Sequence, residues 1–181
     1  LFNTAFGKSN ALKDFSVVLR RTTSKELNYQ YERNGLIVTG TDFDSYANLS
    51  HEVSHYWWNK ADFIKEPWLN ESFANYSMYL VLDKYDQEAH KIILARHQKL
   101  SEKAPPVAGA SLFSKDSYNS YYVKGAYSLL QLEQKIGREK MFKLLSNRVT
   151  KKLHTTPKFL NELEKIAGKA NRDYFEELLK K

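Results

Sequence analysis

Two histidines four residues apart, with a glutamate directly after the first, stand in "HEVSH", residues 51–55. Twelve residues further on comes "WLNESFANY" (68–76). This pair of stretches constrains the chain more than any other feature, because both helices must return to one point. On an α-helix, positions i and i+4 share a face about 6 Å apart along the axis. His51 and His55 can then each offer a ring nitrogen to a single ion at roughly 2.0–2.1 Å. Glu52 points to the flank, close to such an ion but not on it. A base must sit there to take a proton from a water that zinc has acidified toward a pKa of about 7. A catalytic zinc also takes a third protein ligand and keeps one position open. Glu71, with fifteen residues between it and His55, lies among Trp68, Leu69 and Phe73. A carboxylate on a buried apolar face is rare unless paired or metal-bound. Asn75, one turn on, could hold a ligating imidazole in orientation. The competing reading is plain surface polarity: two exposed histidines, a first-turn glutamate and a surface or capping asparagine.

Composition narrows the chemistry. Cysteine is absent, so a metal here must use His, Asp or Glu, and disulfides and thiol nucleophiles are excluded. With 181 residues, 42% of them hydrophobic, the chain suits one domain with a real core. No apolar run is long enough to span a bilayer. The chain opens at Leu1 with no visible signal peptide and reads as a domain excised from a longer one, its compartment undetermined. The net charge of +7 raises the question of nucleic acid. Residues 1–134 hold fifteen basic and fifteen acidic residues, and residues 135–181 hold thirteen and six. The excess is scattered over amphipathic helices, which argues for solvated faces and against a nucleic-acid groove.

Along the chain, "DFSVVLRRTT" (14–23) is β-branched and strand-like. "LNYQYERNGLIVTG" (27–40) reads as an extended stretch, a turn at Asn34-Gly35 and a third strand. Asp44 or Ser45 then caps a helix carrying "HEVSH". A loop with Pro67 follows. The spacing predicts helices from Asn70, from about Gln87 to Lys103, from Tyr118 to Ile136 and from about Arg138 to Thr150. A further helix has Thr156 as cap and Pro157 in its first turn, with Phe159, Leu160, Leu163, Ile166 and Ala167 as its apolar stripe. A last helix packs Tyr174, Phe175, Leu178 and Leu179. Residues 104–117, rich in Pro, Gly, Ala and Ser, read as a long loop. The expected fold class is α+β, with a β region over 1–43 and a helical part over 44–181. His90, His97 and His154 read as surface residues.

"HEVSHYWWNK…PWLNESFANY" resembles the zinc aminopeptidase family of aminopeptidase N, the gluzincin metallopeptidases, whose signature is HExxHxW followed by WLNEGFA. The spacer here is three residues shorter than the family's usual eighteen, which fits a trimmed loop between intact helices. "YYVKGAYSLLQLEQKIG" (121–137) is similar to the family's YxKGA segment. Weaker similarity runs through "AFGKSNALKDFSVVLRR" and from residue 137 to the end. The resemblance implies a thermolysin-like metallopeptidase catalytic domain spanning 1–181, with one Zn2+ held by His51, His55 and Glu71. It implies Glu52 as general base and Tyr122 as oxyanion stabiliser, with Tyr118 and Tyr121 as fallbacks. A phenol near a polarised carbonyl can donate where charge develops. The family's GAMEN strand corresponds to "YQYERNGL" (29–36), of which only Glu32 and Gly35 match. Glu32 is the carry-over for binding a substrate's free amine, with substrate backbone added along this strand.

The resemblance implies a peptide or protein substrate and flanking domains beyond this segment. Three functions stay open at this point: an aminopeptidase, an endopeptidase-like gluzincin, and a non-catalytic zinc-binding scaffold. Glu52 speaks against the last, since a scaffold has no use for a base.

Overall fold

A computed structural model describes residues 1–8, 16–19, 31–33, 35–39, 46–110, 113 and 116–181. In chain order these form α1 (Phe2–Phe6), β1 (Ser16–Leu19), β2 (Tyr31–Arg33), β3 (Leu36–Thr39), α2 (Tyr46–Trp58), α3 (Pro67–Tyr85) and α4 (Gln87–Ser101). A π-helix (Asn119–Gly125) follows, then α5 (Ala126–Ile136), α6 (Arg138–Thr150), α7 (Thr156–Ala167) and α8 (Lys169–Lys180). The described chain is mostly helical with a small sheet. The expected cap at Asp44 or Ser45, the turn residue Asn34, and Tyr29 and Gln30 lie outside the described residues, as do the outer ends of the first strand.

The sheet has the order β1-β3-β2. β1 runs parallel to β3, with Val17 opposite Ile37. β2 runs antiparallel to it, with Glu32 opposite Ile37. β-branched residues suit the central β3, whose Ile37, Val38 and Thr39 are buried. That order leaves β2 an edge strand among the described ones. Gly35 takes the β2–β3 turn at φ 85°, where a side chain would be strained. Its N–H donates to Glu32 Oε1 at 3.3 Å.

α1 falls in a region expected to be β. Phe2 and Phe6 pack on Trp57, and Phe6 also on Trp58, while Trp57 Nε1 donates to Gly7 O at 2.8 Å. Apolar burial against α2 decides that short helix, and nothing in its local sequence announces it.

Every residue of α3 from Pro67 to Leu82 is buried. A helix enclosed on all sides forms the centre of a fold. It starts three residues before the expected Asn70, because Pro67 fits the first turn, where its missing N–H is not needed. The connection before it is closed by side chains. Asn70 Nδ2 donates to Ala61 O and its Oδ1 accepts from Ala61 N, each at 3.1 Å. Asp62 accepts from the backbone of Ile64 and Lys65.

Thr156 does not cap α7 as expected. Thr155 holds the cap position without a side-chain bond. Thr156 Oγ1 instead donates to Glu66 Oε2 at 2.6 Å and accepts from Trp68 Nε1 at 2.8 Å. Tertiary partners have outcompeted the local one. Beneath this contact, Trp58, Trp68, Phe73, Phe159 and Phe175 make a continuous aromatic cluster. Arg148 of α6 is buried against it, its guanidinium 4.9 Å from the Trp58 ring and 4.3 Å from Phe73. Its Nη2 donates to Leu69 O at 2.7 Å. Burial pushes its pKa down to about 9, still charged at neutral pH.

The segment expected as one α-helix from Tyr118 begins as the π-helix. Such wide turns recur at functional sites. Here Tyr121 O accepts from Ser72 Oγ and Tyr122 O from Asn75 Nδ2, both at 2.6 Å. Gly125 permits the approach: a Cβ there would lie 2.0 Å from Ser72 Oγ and 2.9 Å from Ser72 Cβ. Gly125→Ala is therefore expected to destabilise the protein by at least about 2 kcal/mol, measured by urea unfolding. Ser72→Gly in the same chain should recover part of that loss.

Candidate metal centre

Helix α2 presents His51, Glu52 and His55, and α3 packs beside it. Among the described residues these three form a cluster in which one ligand atom from each lies within 4.8 Å of the others. The sharper geometry includes Glu71. His51 Nε2 and His55 Nε2 are 3.2 Å apart. Glu71 Oε2 is 3.5 Å from the first and 3.6 Å from the second. Ligands at roughly 2.0–2.1 Å from a tetrahedral zinc are separated by about 3.3–3.4 Å, the edge of that tetrahedron. The three atoms thus form one face of such a tetrahedron. The donor set of two imidazoles and a carboxylate suits zinc.

These residues border a cleft of about 1070 Å³. Glu32, His51, Glu52, His55, Glu71 and Tyr122 all line it. The six residues singled out in the sequence therefore share one space, although they come from β2, α2, α3 and the π-helix.

Each group has a local reason for its state. Burial pushes the Glu52 carboxyl up to about 7, helped by the charges of Glu71 and Glu32 and opposed by His51 and by the Glu32 backbone N–H. A carboxyl poised near neutrality can both accept and return a proton. Burial and then the neighbouring His51 push His55 down to about 4. For His51, burial works against the charged form, but Glu71, Glu52 and Asn75 outweigh it and raise its pKa. Glu71 is buried yet held below the usual carboxylate range, because His51, His55 and the Tyr122 hydroxyl stabilise its charge against desolvation. Tyr122 is pushed up by burial and by Glu71, so it remains a donor at neutral pH.

Of the two fallback tyrosines, Tyr121 turns away from the cleft and donates to Ala110 O. Tyr118 stacks on Tyr122, ring centroids 4.8 Å apart, and Tyr122 stacks on His51 at 5.8 Å. Asn75 Oδ1 lies 2.7 Å from His51 Nδ1.

His97 corrects a sequence expectation. It is buried on α4, 8% exposed, with Nδ1 2.6 Å from the Tyr79 hydroxyl, and it lines the cleft beside Arg96. Met78 and Ile93 line the same wall. These residues were missed because a lysine-rich helix conceals which of its faces is inward. The spacing of Ile93, Arg96 and His97, at i, i+3 and i+4, is the signal that could have found them.

No family model and no curated sequence matches this chain. Solved structures do. A mutant two-domain M1 zinc metallopeptidase bound to L-tryptophan superposes with a TM-score of 0.82 at 18% identity, over 99% of this chain and 42% of that one. An M1 zinc metallopeptidase mutant from Deinococcus radiodurans bound to a Tyr-Ser-Ala substrate gives 0.78 at 18% identity over the same shares. Another structure of an M1 zinc metallopeptidase from that organism gives 0.71 at 19% identity, over 91% of this chain and 39% of that one. At this identity the likeness is one of fold, and the chain spans about two fifths of those proteins.

The buried histidines imply a pH dependence for the metal-free fold. Burial, then Arg96, push His97 down to about 4, and His55 lies equally low. The unfolded chain takes up these protons near about 6.5, so it binds more protons than the native state between the two values. Their contribution to stability is present above that window and falls as pH drops through it, while Glu52 and His51, both raised, act in the opposite direction and offset His55. The His97 contribution to the stability of metal-free protein, read from the urea midpoint, should therefore decline from about pH 6.5 to 4, by on the order of 3 kcal/mol. His97→Gln should flatten the decline, and parallel curves for wild type and variant would clear His97 of any part in it.

Proposed function

We propose that this chain is a thermolysin-like catalytic domain that hydrolyses peptide bonds with one zinc ion and takes its substrates by their amino termini. The triangle of His51 Nε2, His55 Nε2 and Glu71 Oε2, with sides of 3.2, 3.5 and 3.6 Å, is the observation that carries this reading. These three side chains would hold the ion. When bound there, zinc supplies Lewis acidity toward a carbonyl and hydroxide at neutral pH.

The chain's own groups do the rest. Glu52, raised to about 7 in its buried setting, accepts a proton from the attacking water and passes it to the leaving amine. The Tyr122 phenol donates to the carbonyl oxygen as negative charge grows on it. Glu32 on the edge strand offers a carboxylate to the substrate's ammonium group. Along the edge of β2 that is not paired with β3, where the Glu32 N–H meets Glu52, an extended peptide would lie. Because Tyr122 shares the cleft with Glu32 and Glu52, one bound peptide can reach all three. Further domains, absent from this segment, would complete the cleft in a longer chain.

One observation favours a second reading, an endopeptidase. The cleft volume of about 1070 Å³ reaches the upper end of small-ligand pockets, leaving room for chain on both sides of the cut. Glu32→Ala separates the two. For an aminopeptidase, hydrolysis of free peptides falls sharply while turnover of amino-acetylated ones stays low. Equal effects on both would favour internal cleavage.

Two further measurements test the core of the reading. Glu52→Gln should retain zinc by elemental analysis while kcat/KM drops by about 10²–10⁴. A variant as active as wild type would remove Glu52 from the base role and leave a scaffold as the better account. His55→Ala should lose the metal after dialysis, and equal zinc content in both proteins would end the metal assignment.

A further inference from the structure

The two hydrogen bonds of Asn75 leave no freedom in their direction. Tyr122 O is a carbonyl and can only accept, so the group 2.6 Å from it must be the amide Nδ2–H. That orientation turns Oδ1 toward His51 Nδ1, 2.7 Å away. An amide oxygen only accepts, so Nδ1 must carry the proton. A neutral imidazole protonated at Nδ1 has its lone pair on Nε2. Nε2 is the atom aimed at His55 and Glu71. A backbone carbonyl of the π-helix therefore selects, through one amide, the tautomer that a metal ligand needs.

The geometry points to Asn75 as a positioning residue that sets the tautomer of His51 and joins it to the turn carrying Tyr122, so that metal ligand and phenol are held as one unit. This rests on the reading of His51 as a ligand given above. Three observations make the unit rigid. Asn75 is buried, 6% exposed, on the central helix. The rings of His51 and Tyr122 stack at an interplanar angle of 22°. Ser72, one turn before Asn75, donates to the adjacent carbonyl of Tyr121, so two struts from α3 seat the π-helix. Only one of the two reaches a histidine, and that difference is what an experiment can use.

The measurements are zinc affinity by chelator competition and amide hydrogen exchange of residues 119–125 with and without zinc, on folded protein verified by circular dichroism. Wild type should show slower exchange in 119–125 once zinc is bound. Asn75→Ala loses both bonds, and zinc affinity should fall by about 10–100-fold. Asn75→Asp keeps an acceptor for His51 Nδ1–H but sets a carboxylate against Tyr122 O. Its zinc affinity should stay at or above wild type, while the zinc-dependent slowing of 119–125 disappears. Ser72→Ala loosens the π-helix without touching His51, so its zinc affinity should match wild type.

The inference is overturned if Asn75→Ala binds zinc like wild type, if Asn75→Asp keeps the zinc-dependent protection, or if Ser72→Ala loses as much zinc affinity as Asn75→Ala. The last result would mean that general loosening, not the His51 contact, governs the metal. A wild-type protein that binds zinc with this pattern yet cleaves no peptide would sink the hydrolase reading alone. One that cleaves peptides while Asn75→Ala keeps full zinc affinity would sink this inference alone.

Discussion

A helix buried on every side cannot carry polar side chains unless each finds a partner inside the protein. α3 carries Asn70, Glu71, Ser72, Asn75 and Ser77 in its buried stretch, and that constraint organises the molecule around it. Asn70 closes the connection from α2. Ser77 accepts from Trp58 Nε1 and donates to Phe73 O, locking the end of α2 onto α3. Ser72 and Asn75 seat the π-helix. Glu71 faces the two imidazoles of α2. The same accounting that stabilises the fold thus brings α2, α3 and the π-helix to one cleft.

The electrostatics of the cleft follow from that burial. Glu52 and Glu71 are neighbours of similar depth, yet one is pushed up to about 7 and the other is held low. The difference lies in partners. Glu71 has two imidazoles and a phenol, whereas the desolvation of Glu52 is only partly offset by His51 and is reinforced by Glu71 and Glu32. Two carboxyls whose environments separate their pKa values divide naturally into an anion that stays charged and a group that trades protons. The excess positive charge of the chain sits elsewhere. Lys151 pairs with Glu162 at 2.6 Å, and α8 carries the i,i+4 pairs Lys169–Asp173, Arg172–Glu176 and Lys180–Glu176, as solvated helix faces do.

Much of this was legible from residues alone, for a local reason. The i,i+4 pair of histidines declares its own geometry once a helix is granted, and the apolar periodicity of α5 through α8 grants helices across the second half of the chain. The turn at Gly35 and the β-branched strands around Val17 and around Ile37 were equally local in origin. Where reading failed, a distant partner had changed the outcome. Thr156 looked like a helix cap and became a bridge between Glu66 and Trp68. His97 looked solvated and was buried against Tyr79. Pro67 looked like loop and opened the central helix.

Sequence by itself settled which ligand types are open to a metal here: with no cysteine, it must be held by His, Asp or Glu, and the 51–55 and 68–76 stretches offer two histidines and a glutamate on helices. Tertiary structure alone decided the distances between His51 Nε2, His55 Nε2 and Glu71 Oε2, the wide π turn that carries Tyr122, and the direction in which Asn75 points its amide. Helical periodicity is a property of neighbours three and four residues apart, so a single strand of text contains it. Hydrogen-bond partners between α3 and the π-helix are 47 and 49 residues apart. Their pairing exists only after the core has packed, when a buried carbonyl has no water to turn to and must take the nearest donor.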